Sequence, residues 1–173
     1  MNVCTRPTNQ LFIFIFRLLL YDRKWLYLLA NKFNHMATIK TIYLGDLRTE
    51  NTHIQSGNKV ISDAPLDNRG RGEFFSPTDL LATALGSCIM TIMGIKARDH
   101  DIDITGTEVE VTKIMASDPR RVAEVVVEFN FPRRHYPDAS KRLIESVAGI
   151  SPVPLSLHPE LKQTILFNWR DPE

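Results

Sequence analysis

The stretch that decides the fold is SPTDLLATALGSCIMTIMGIKARDH, residues 76–100. Ser76 is a natural N-cap, and Pro77 suits the first helical position because the N–H it lacks would have no partner there. Asp79 places negative charge in the first turn. Leu81, Leu85, Cys88, Ile92 and Ile95 recur at steps of three and four, which predicts that they share one face of a long helix. Ala82, Ala84, Gly86 and Ser87 are small enough to let another backbone approach the middle turns. Gly86 and Gly94 each cost about 1 kcal/mol against alanine in a helix interior, so close packing is the expected compensation at both. Lys96, Arg98 and His100 gather at the far end, where positive charge complements the helix C-terminus. The segment reads as a buried central helix carrying Cys88 on its apolar face.

Upstream, Ile39, Thr41 and Tyr43, then Leu47, Thr49 and His53, alternate as two short strands around a turn at Gly45-Asp46. Gly57-Asn58 leads into a third strand over 59–62, and together these predict an antiparallel meander. Residues 64–75 carry Pro65, Asn68, Gly70 and Gly72 and read as a loop feeding the helix. Their Gly-Arg-Gly lacks the preceding strand and following Lys-Ser/Thr of a phosphate loop. Downstream, strand chemistry resumes over 102–115, with Val109 and Val111 facing away from Glu108, Glu110 and Thr112. After a turn at Ser117-Asp118-Pro119, Val125, Val127, Phe129 and Phe131 alternate with Glu124, Val126, Glu128 and Asn130 in a second strand. A second helix is expected from about Asp138 to Gly149, a short helical turn within 151–157, and a closing strand over 163–169. With no internal repeat or low-complexity linker, residues 36–173 read as one α+β domain.

The chain has 173 residues, 43% hydrophobic and 24% charged, enough for one domain with a real core. Its net charge of +1 hides an asymmetry. Residues 1–35 carry five basic residues and one acidic, a net +4, and the remainder, with sixteen basic and nineteen acidic, is at −3. A mildly acidic body gives no electrostatic basis for a nucleic-acid partner. In residues 1–35 the apolar runs 11–16 and 18–21 are split by Arg17, and neither approaches the roughly 20 residues of a membrane span. No membrane partner is therefore expected. A secretory signal would need one unbroken apolar stretch followed by a small-residue cleavage site, which 28–32 supply poorly. An organellar address or a start placed too early, with Met36 as the true beginning, remain for residues 1–35. The second is preferred, and the segment is expected to lie outside the domain. Two cysteines, Cys4 and Cys88, do not make a disulfide framework and point to a reducing, cytoplasmic setting.

His35, His53, His100, His135 and His158 are scattered and never stand at metal-ligand spacing with Cys88. No nucleophilic-serine motif or catalytic carboxylate pair is visible, so neither metal nor cofactor is expected. That leaves Cys88. A free cysteine on an apolar helix face is more often an inert core residue than a nucleophile. A reactive thiol needs a nearby cation to stabilise its thiolate, and local sequence offers none within a helical turn. The cation would have to arrive through the fold.

Ser-Pro-Thr-Asp-Leu-Leu-Ala-Thr-Ala-Leu-Gly-Ser-Cys, residues 76–88, closely resembles the cysteine helix of the OsmC family, which includes the organic hydroperoxide resistance proteins. The order of elements from Met36 to about Trp169 matches as well, down to Ser156-Leu157-His158-Pro159. The resemblance implies an α+β fold with antiparallel sheets around long central helices, in an intertwined homodimer with sites at the subunit interface. It also implies a chemistry. A first cysteine attacks a hydroperoxide, an arginine from the N-terminal strands supports its thiolate, and a carboxylate on the cysteine helix fixes that arginine. A second cysteine then closes a disulfide that an external dithiol reduces. By position the first cysteine is Cys88 and the arginine Arg48, in Gly-Asp-Leu-Arg. The hydroperoxide enzymes carry the carboxylate where Thr78 stands here, and Asp79, one residue on, is the candidate in its place.

The departure lies at the second cysteine, whose Cys-Pro-Val is here Ser151-Pro152-Val153. A serine hydroxyl cannot condense with a sulfenic acid to make a disulfide, so the two-cysteine cycle is closed to this chain. Two readings follow. In one, Cys88 serves a thiol-dependent hydroperoxide reductase of oxidative-stress defence, resolved by an external thiol. In the other, a non-enzymatic homodimer binds a small lipophilic ligand at its subunit interface.

Overall fold

The structure is a computed structural model that describes residues 37–172. The expectations for residues 1–35, for Cys4 and for Met36 as the start fall outside the described residues. Three strands, β1 (Ile39–Gly45), β2 (Arg48–His53) and β3 (Lys59–Asp63), form one sheet in sequence order, as a meander requires. A long helix α1 (Pro77–Asp99) follows, then β4 (Glu108–Ser117), β5 (Arg120–Asn130), the helix α2 (Asp138–Glu145), a short helix α3 (Pro152–Ser156) and β6 (Lys162–Asn168). The described residues divide into two compact units. One holds the outer part of the first sheet, up to Ile42 and Asn51–Val60, and the other holds Tyr43–Glu50 and everything from Ile61 onward. In the first unit a five-residue connection is tied by the Gly57 N–H on the His53 carbonyl at 2.8 Å and the His53 N–H on the Asn58 carbonyl at 2.9 Å.

The second unit is built on the sheet β4-β5-β6. β4 and β5 pair antiparallel, with Val109 opposite Phe129 and Val111 opposite Val127. β6 runs parallel to β5, so the expectation of wholly antiparallel sheets is corrected for this edge. The reason is the connection: a crossover through α2 and α3 returns the chain to the start of β6 in the direction of β5, which a short hairpin cannot do. The predicted alternation holds, since Val125, Val127, Phe129 and Phe131 are all buried. The strand expected from Ile102 begins only at Glu108. Residues 103–107 instead form tight turns, with Asp103 Oδ1 accepting the Thr105 N–H at 2.9 Å and Gly106 at φ 91°.

α1 packs on this sheet, but not through the stripe its periodicity suggests. Its buried residues are Ala82, Leu85, Gly86, Ile89, Met93 and Ala97, which share only Leu85 with the predicted set. Leu81 and Ile95 are exposed, and Cys88 is half-buried. The helix is apolar over most of its circumference, with a mean hydropathy of 1.6 over its most apolar 18 residues, and the signal that marks the buried side is the exposed polar stripe Thr83, Ser87 and Thr91 opposite Leu85, Ile89 and Met93. By length and composition such a helix would suffice for a membrane span; here one side of it is buried in the core, with Gly86 against Val109, Val111 and Val127. A Cβ on Gly86 would fall 2.8 Å from Val111 Cγ2, so the close packing expected there is present. Gly94 has nothing within 4 Å of such a Cβ, and the same expectation fails for it.

Candidate functional site

Arg48 opens β2 because the chain reverses in two residues. Asp46 and Leu47 both take positive φ, 47° and 61°, the handedness that matches strand twist in a tight hairpin. A leucine there is uncommon. Its N–H donates to Tyr43 Oη at 3.2 Å, and its carbonyl accepts the Ala64 N–H at 3.2 Å. On the other side, Gly70 lies so close to Ala64 that a Cβ would sit 1.7 Å from the Ala64 carbonyl oxygen. The loop after β3 is thereby folded back, bringing Glu73 and Phe74 to Arg48.

Around Arg48 three groups converge. Its Nη2 donates to Asp63 Oδ2 at 3.0 Å and to Glu73 Oε2, and its guanidinium carbon lies 4.7 Å from the centre of the Phe74 ring. The Asp63 side chain is fully buried, that of Glu73 is 52% exposed, and Arg48 lies between them at 22%. Asp63 Oδ2 also accepts the Glu73 N–H at 3.3 Å, while Oδ1 is buried with no hydrogen-bond partner. The Arg48 hydrogen bond holds the Asp63 carboxyl below the usual range, against the upward pull of burial and with help from the Glu73 N–H. The same contacts, Glu73 first and Asp63 second, raise the guanidinium pKa further.

A second cluster stands at the start of α1. Ser76 Oγ accepts the Asp79 N–H at 3.1 Å and Asp79 Oδ2 accepts the Ser76 N–H at 2.7 Å, a reciprocal capping box. Lys113, reaching over from β4, places Nζ 2.5 Å from Asp79 Oδ1 and 2.9 Å from both Ser76 Oγ and Thr78 Oγ1. All three ammonium protons are thus engaged. Burial would raise the Asp79 pKa, but the Lys113 ammonium and the Ser76 N–H outweigh it and hold the carboxyl below its ordinary value. A cavity of about 420 Å³ adjoins this cluster, with Phe74, Thr78, Asp79, Lys113 and Met115 in its wall.

The structure therefore separates residues the sequence grouped. Asp79 is the partner of Lys113, and the carboxylates on Arg48 are Asp63 and Glu73. As third residue of the helix, Asp79 is claimed by its own cap and by an inward-facing lysine of the neighbouring strand. Cys88 lies nine residues on, about 13 Å along the axis, as a free thiol. Among the described residues no hydrogen bond or ion pair links it to Arg48. Ser151, at the position of the family's second cysteine, is fully buried at the start of α3, with its Oγ donating to the Ala148 carbonyl at 3.4 Å. Both α3 and the 3-10 turn Ala148–Ile150 before it pack on α1. A further cavity of about 650 Å³, mainly apolar, is walled by Leu81, Val122, Leu157 and Leu161 with His158 at its edge. Leu81 and Cys88 are seven residues apart on one helix face, about 10 Å.

Sequence reasoning missed Asp63, Glu73, Phe74 and Lys113. For Lys113 a signal existed: it continues the inward register of Val109 and Val111. Asp63 and Glu73 carried none, because a loop fold rather than a periodicity brings them together.

A three-stranded meander, a cysteine-bearing helix packed on a second sheet, and a helical crossover to the last strand make up an α+β arrangement with known counterparts. A family model described as OsmC-like protein matches residues 70–165. A crystal structure from Psychrobacter arcticus, of a candidate osmotic stress induced and detoxification response protein, is 52% identical; the match covers 76% of this chain and 96% of that one, with a TM-score of 0.73. An OsmC-like protein from Mycoplasma pneumoniae shares the fold at 16% identity and TM-score 0.64, covering 76% of this chain and 95% of that one. An organic hydroperoxide resistance protein from Legionella pneumophila does so at 12% and 0.61, covering 77% and 98%. No curated protein matches the sequence. The chain belongs to the OsmC-like family.

Proposed function

We propose that this protein is a thiol-dependent hydroperoxide reductase of oxidative-stress defence, working with Cys88 as its one cysteine and completed as a homodimer. The observation that carries the reading is the Arg48 cluster: a guanidinium fixed by a buried carboxylate on the hairpin, yet still partly exposed. That is what a thiolate needs from elsewhere in the fold. Within one chain Arg48 and Cys88 are not joined, and the Cys88 face of α1 is left open beside Leu81 and Ile95. A second copy laid on that face covers it and brings its own Arg48 toward the sulfur. The Psychrobacter relative's name, a detoxification response protein, and the Legionella neighbour's, an organic hydroperoxide resistance protein, are in keeping with this reading.

The Cys88 thiolate attacks the terminal oxygen of an organic hydroperoxide, and the O–O bond breaks. The leaving alkoxide takes a proton and departs as the alcohol, while the sulfur, oxidised by two electrons, becomes a sulfenic acid. Ser151 has no thiol to offer, so an external thiol condenses with the sulfenic acid, releasing water and leaving a mixed disulfide. A second external thiol then displaces Cys88 as thiol and leaves as the small disulfide. The apolar cavity two helical turns from Cys88, by Leu81 and Leu157, suits the alkyl part of such a substrate.

That cavity also favours the second reading, a non-enzymatic dimer holding a lipophilic ligand. The two are separated by stopped-flow consumption of an organic hydroperoxide with mass spectrometry of the Cys88 peptide. The proposal expects a Cys88 mixed disulfide when a small thiol is present, sulfinic acid when none is, and no consumption by Cys88→Ser. Hydroperoxide left unconsumed with an unmodified Cys88 refutes the enzyme and leaves the binding protein.

A further inference from the structure

We propose that Arg48 is governed by two carboxylates with opposite tasks: buried Asp63 positions the guanidinium, and exposed Glu73 holds it back as a releasable competitor of the Cys88 sulfur. The inference rests on the reading that Arg48 supports the Cys88 thiolate, and names what regulates that support.

Both carboxylates take the same nitrogen, Nη2, and among the described residues no other hydrogen bond uses the remaining N–H groups of Arg48. They differ in what holds them. The Asp63 carboxylate is fully buried and receives the Glu73 N–H as well. A buried carboxylate in that position must keep its partner, so Asp63 is a fixed anchor. Half of the Glu73 side chain is in solvent, where hydration and salt compete with the contact, so this partner can be given up at little cost. A destination for the freed arginine already exists. Asp63 Oδ1 is a buried acceptor with no partner. When Arg48 turns away from Glu73, a second guanidinium N–H can reach that oxygen, converting a one-nitrogen contact into a two-pronged one. The Phe74 ring, 4.7 Å from the guanidinium carbon, supports the cation through this turn. What moves is the side of Arg48 that Glu73 occupied, and that side is then free for an anionic sulfur. Asp63 and Glu73 are positioning residues, acting on the thiol only through Arg48.

The test is the pH profile of iodoacetamide alkylation at Cys88, followed on its own peptide in the full chain, beside the rate of organic hydroperoxide consumption. Glu73→Gln is expected to lower the apparent Cys88 pKa and raise both rates near neutral pH, by about threefold to tenfold for a shift of half to one unit. Asp63→Asn is expected to move both the other way, with Asp63→Glu recovering part of the loss. A merely structural role would not give the two carboxylates opposite signs. If Asp63→Asn does not fold, the sign for the exposed Glu73→Gln decides alone. The inference is overturned if Glu73→Gln raises the pKa or leaves it unmoved, if both carboxylate variants shift it the same way, or if Arg48→Met leaves it unchanged. A wild-type protein that ignores hydroperoxide overturns the enzymatic reading instead, while the alkylation profiles still decide this one.

Discussion

Gly86 and Gly94 lie two turns apart in α1, and the same substitution should act on them with opposite consequences. In either place alanine gains about 1 kcal/mol of helix propensity over glycine. At Gly94 nothing lies within 4 Å of the new methyl, so the gain should appear in full as stabilisation. At Gly86 the methyl would meet Val111 Cγ2 at 2.8 Å and Val109 Cγ1 at 3.4 Å. Both are β-branched residues of β4 with stiff side chains, so relief has to come from moving the helix off the sheet. Overpacking of this kind costs about 1–3 kcal/mol. Because the propensity gain is common to both sites, the difference between the variants isolates the overpacking cost alone. Gly94→Ala should exceed Gly86→Ala by about 1–3 kcal/mol. Urea titrations followed by far-UV circular dichroism, at one fixed protein concentration, measure it. A Gly86→Ala protein as stable as Gly94→Ala would refute the packing account of α1 on β4. A Gly94→Ala protein less stable than wild type would show that another body occupies the open side of the helix.

Two further outcomes are expected. If a second copy covers the Cys88 face, unfolding depends on concentration, a tenfold increase stabilising the assembly by about 1.4 kcal/mol; a cooperative monomer in micromolar sedimentation would refute it. Asp103 is held at about 2 by the Thr105 N–H and hydroxyl and then by Arg134. The depressed value means that its contribution is fully present above about pH 5, where the unfolded carboxyl is ionised, and is lost as pH falls through the folded value of about 2. Asp103→Asn should therefore lower the urea midpoint at pH 7 and match wild type near pH 2, and a gap that stays constant with pH would refute the assignment.

How much of this was legible in the sequence depended on whether a residue announced its surroundings by period or only by contact. The cap of α1 was readable because Ser76, Pro77 and Asp79 are local signals, and the structure returns them as a capping box. β5 was readable because Val125 to Phe131 alternate without a break. The face of α1 was partly legible: Thr83, Ser87 and Thr91 make an exposed polar stripe whose opposite side is the buried Leu85, Ile89 and Met93, but Leu81, Cys88, Ile92 and Ile95 formed a second apolar stripe at helical spacing that drew the reading away. The direction of β6 was hidden, since pairing sense belongs to the crossover and leaves no trace in the strand. At the site, Cys88 and Arg48 came from resemblance to the OsmC family. The partners of Arg48 could not come that way, because Asp63 ends a strand and Glu73 sits in a loop folded back by Gly70. The expectation placed on Asp79 failed for a physical reason. Its charge is already balanced by Lys113, whose inward position was available to be read in the alternation of β4.

This distribution of charge bears on the chemistry. Asp79 and Lys113 neutralise each other, and Lys113 has no proton left to offer an incoming anion. Of Arg48 and Lys113, Arg48 is then the one with N–H groups to spare, and in the resting arrangement it faces two carboxylates, so the Arg48, Asp63 and Glu73 group is net negative. A thiolate brought to that edge would meet no net attraction while both carboxylates are engaged. Arg48 supports the Cys88 sulfur only if one of the two contacts opens, and their burial decides which. Opening the Asp63 contact would leave a carboxylate without solvent exposure and without its cation, whereas the half-exposed Glu73 can exchange Arg48 for water. The lower-cost step leaves Asp63 and Arg48 as a nearly neutral, well-anchored pair with the positive end outward. On this reading, the reactivity of Cys88 is set less by the thiol's own surroundings on α1 than by how readily water takes Glu73 away from Arg48.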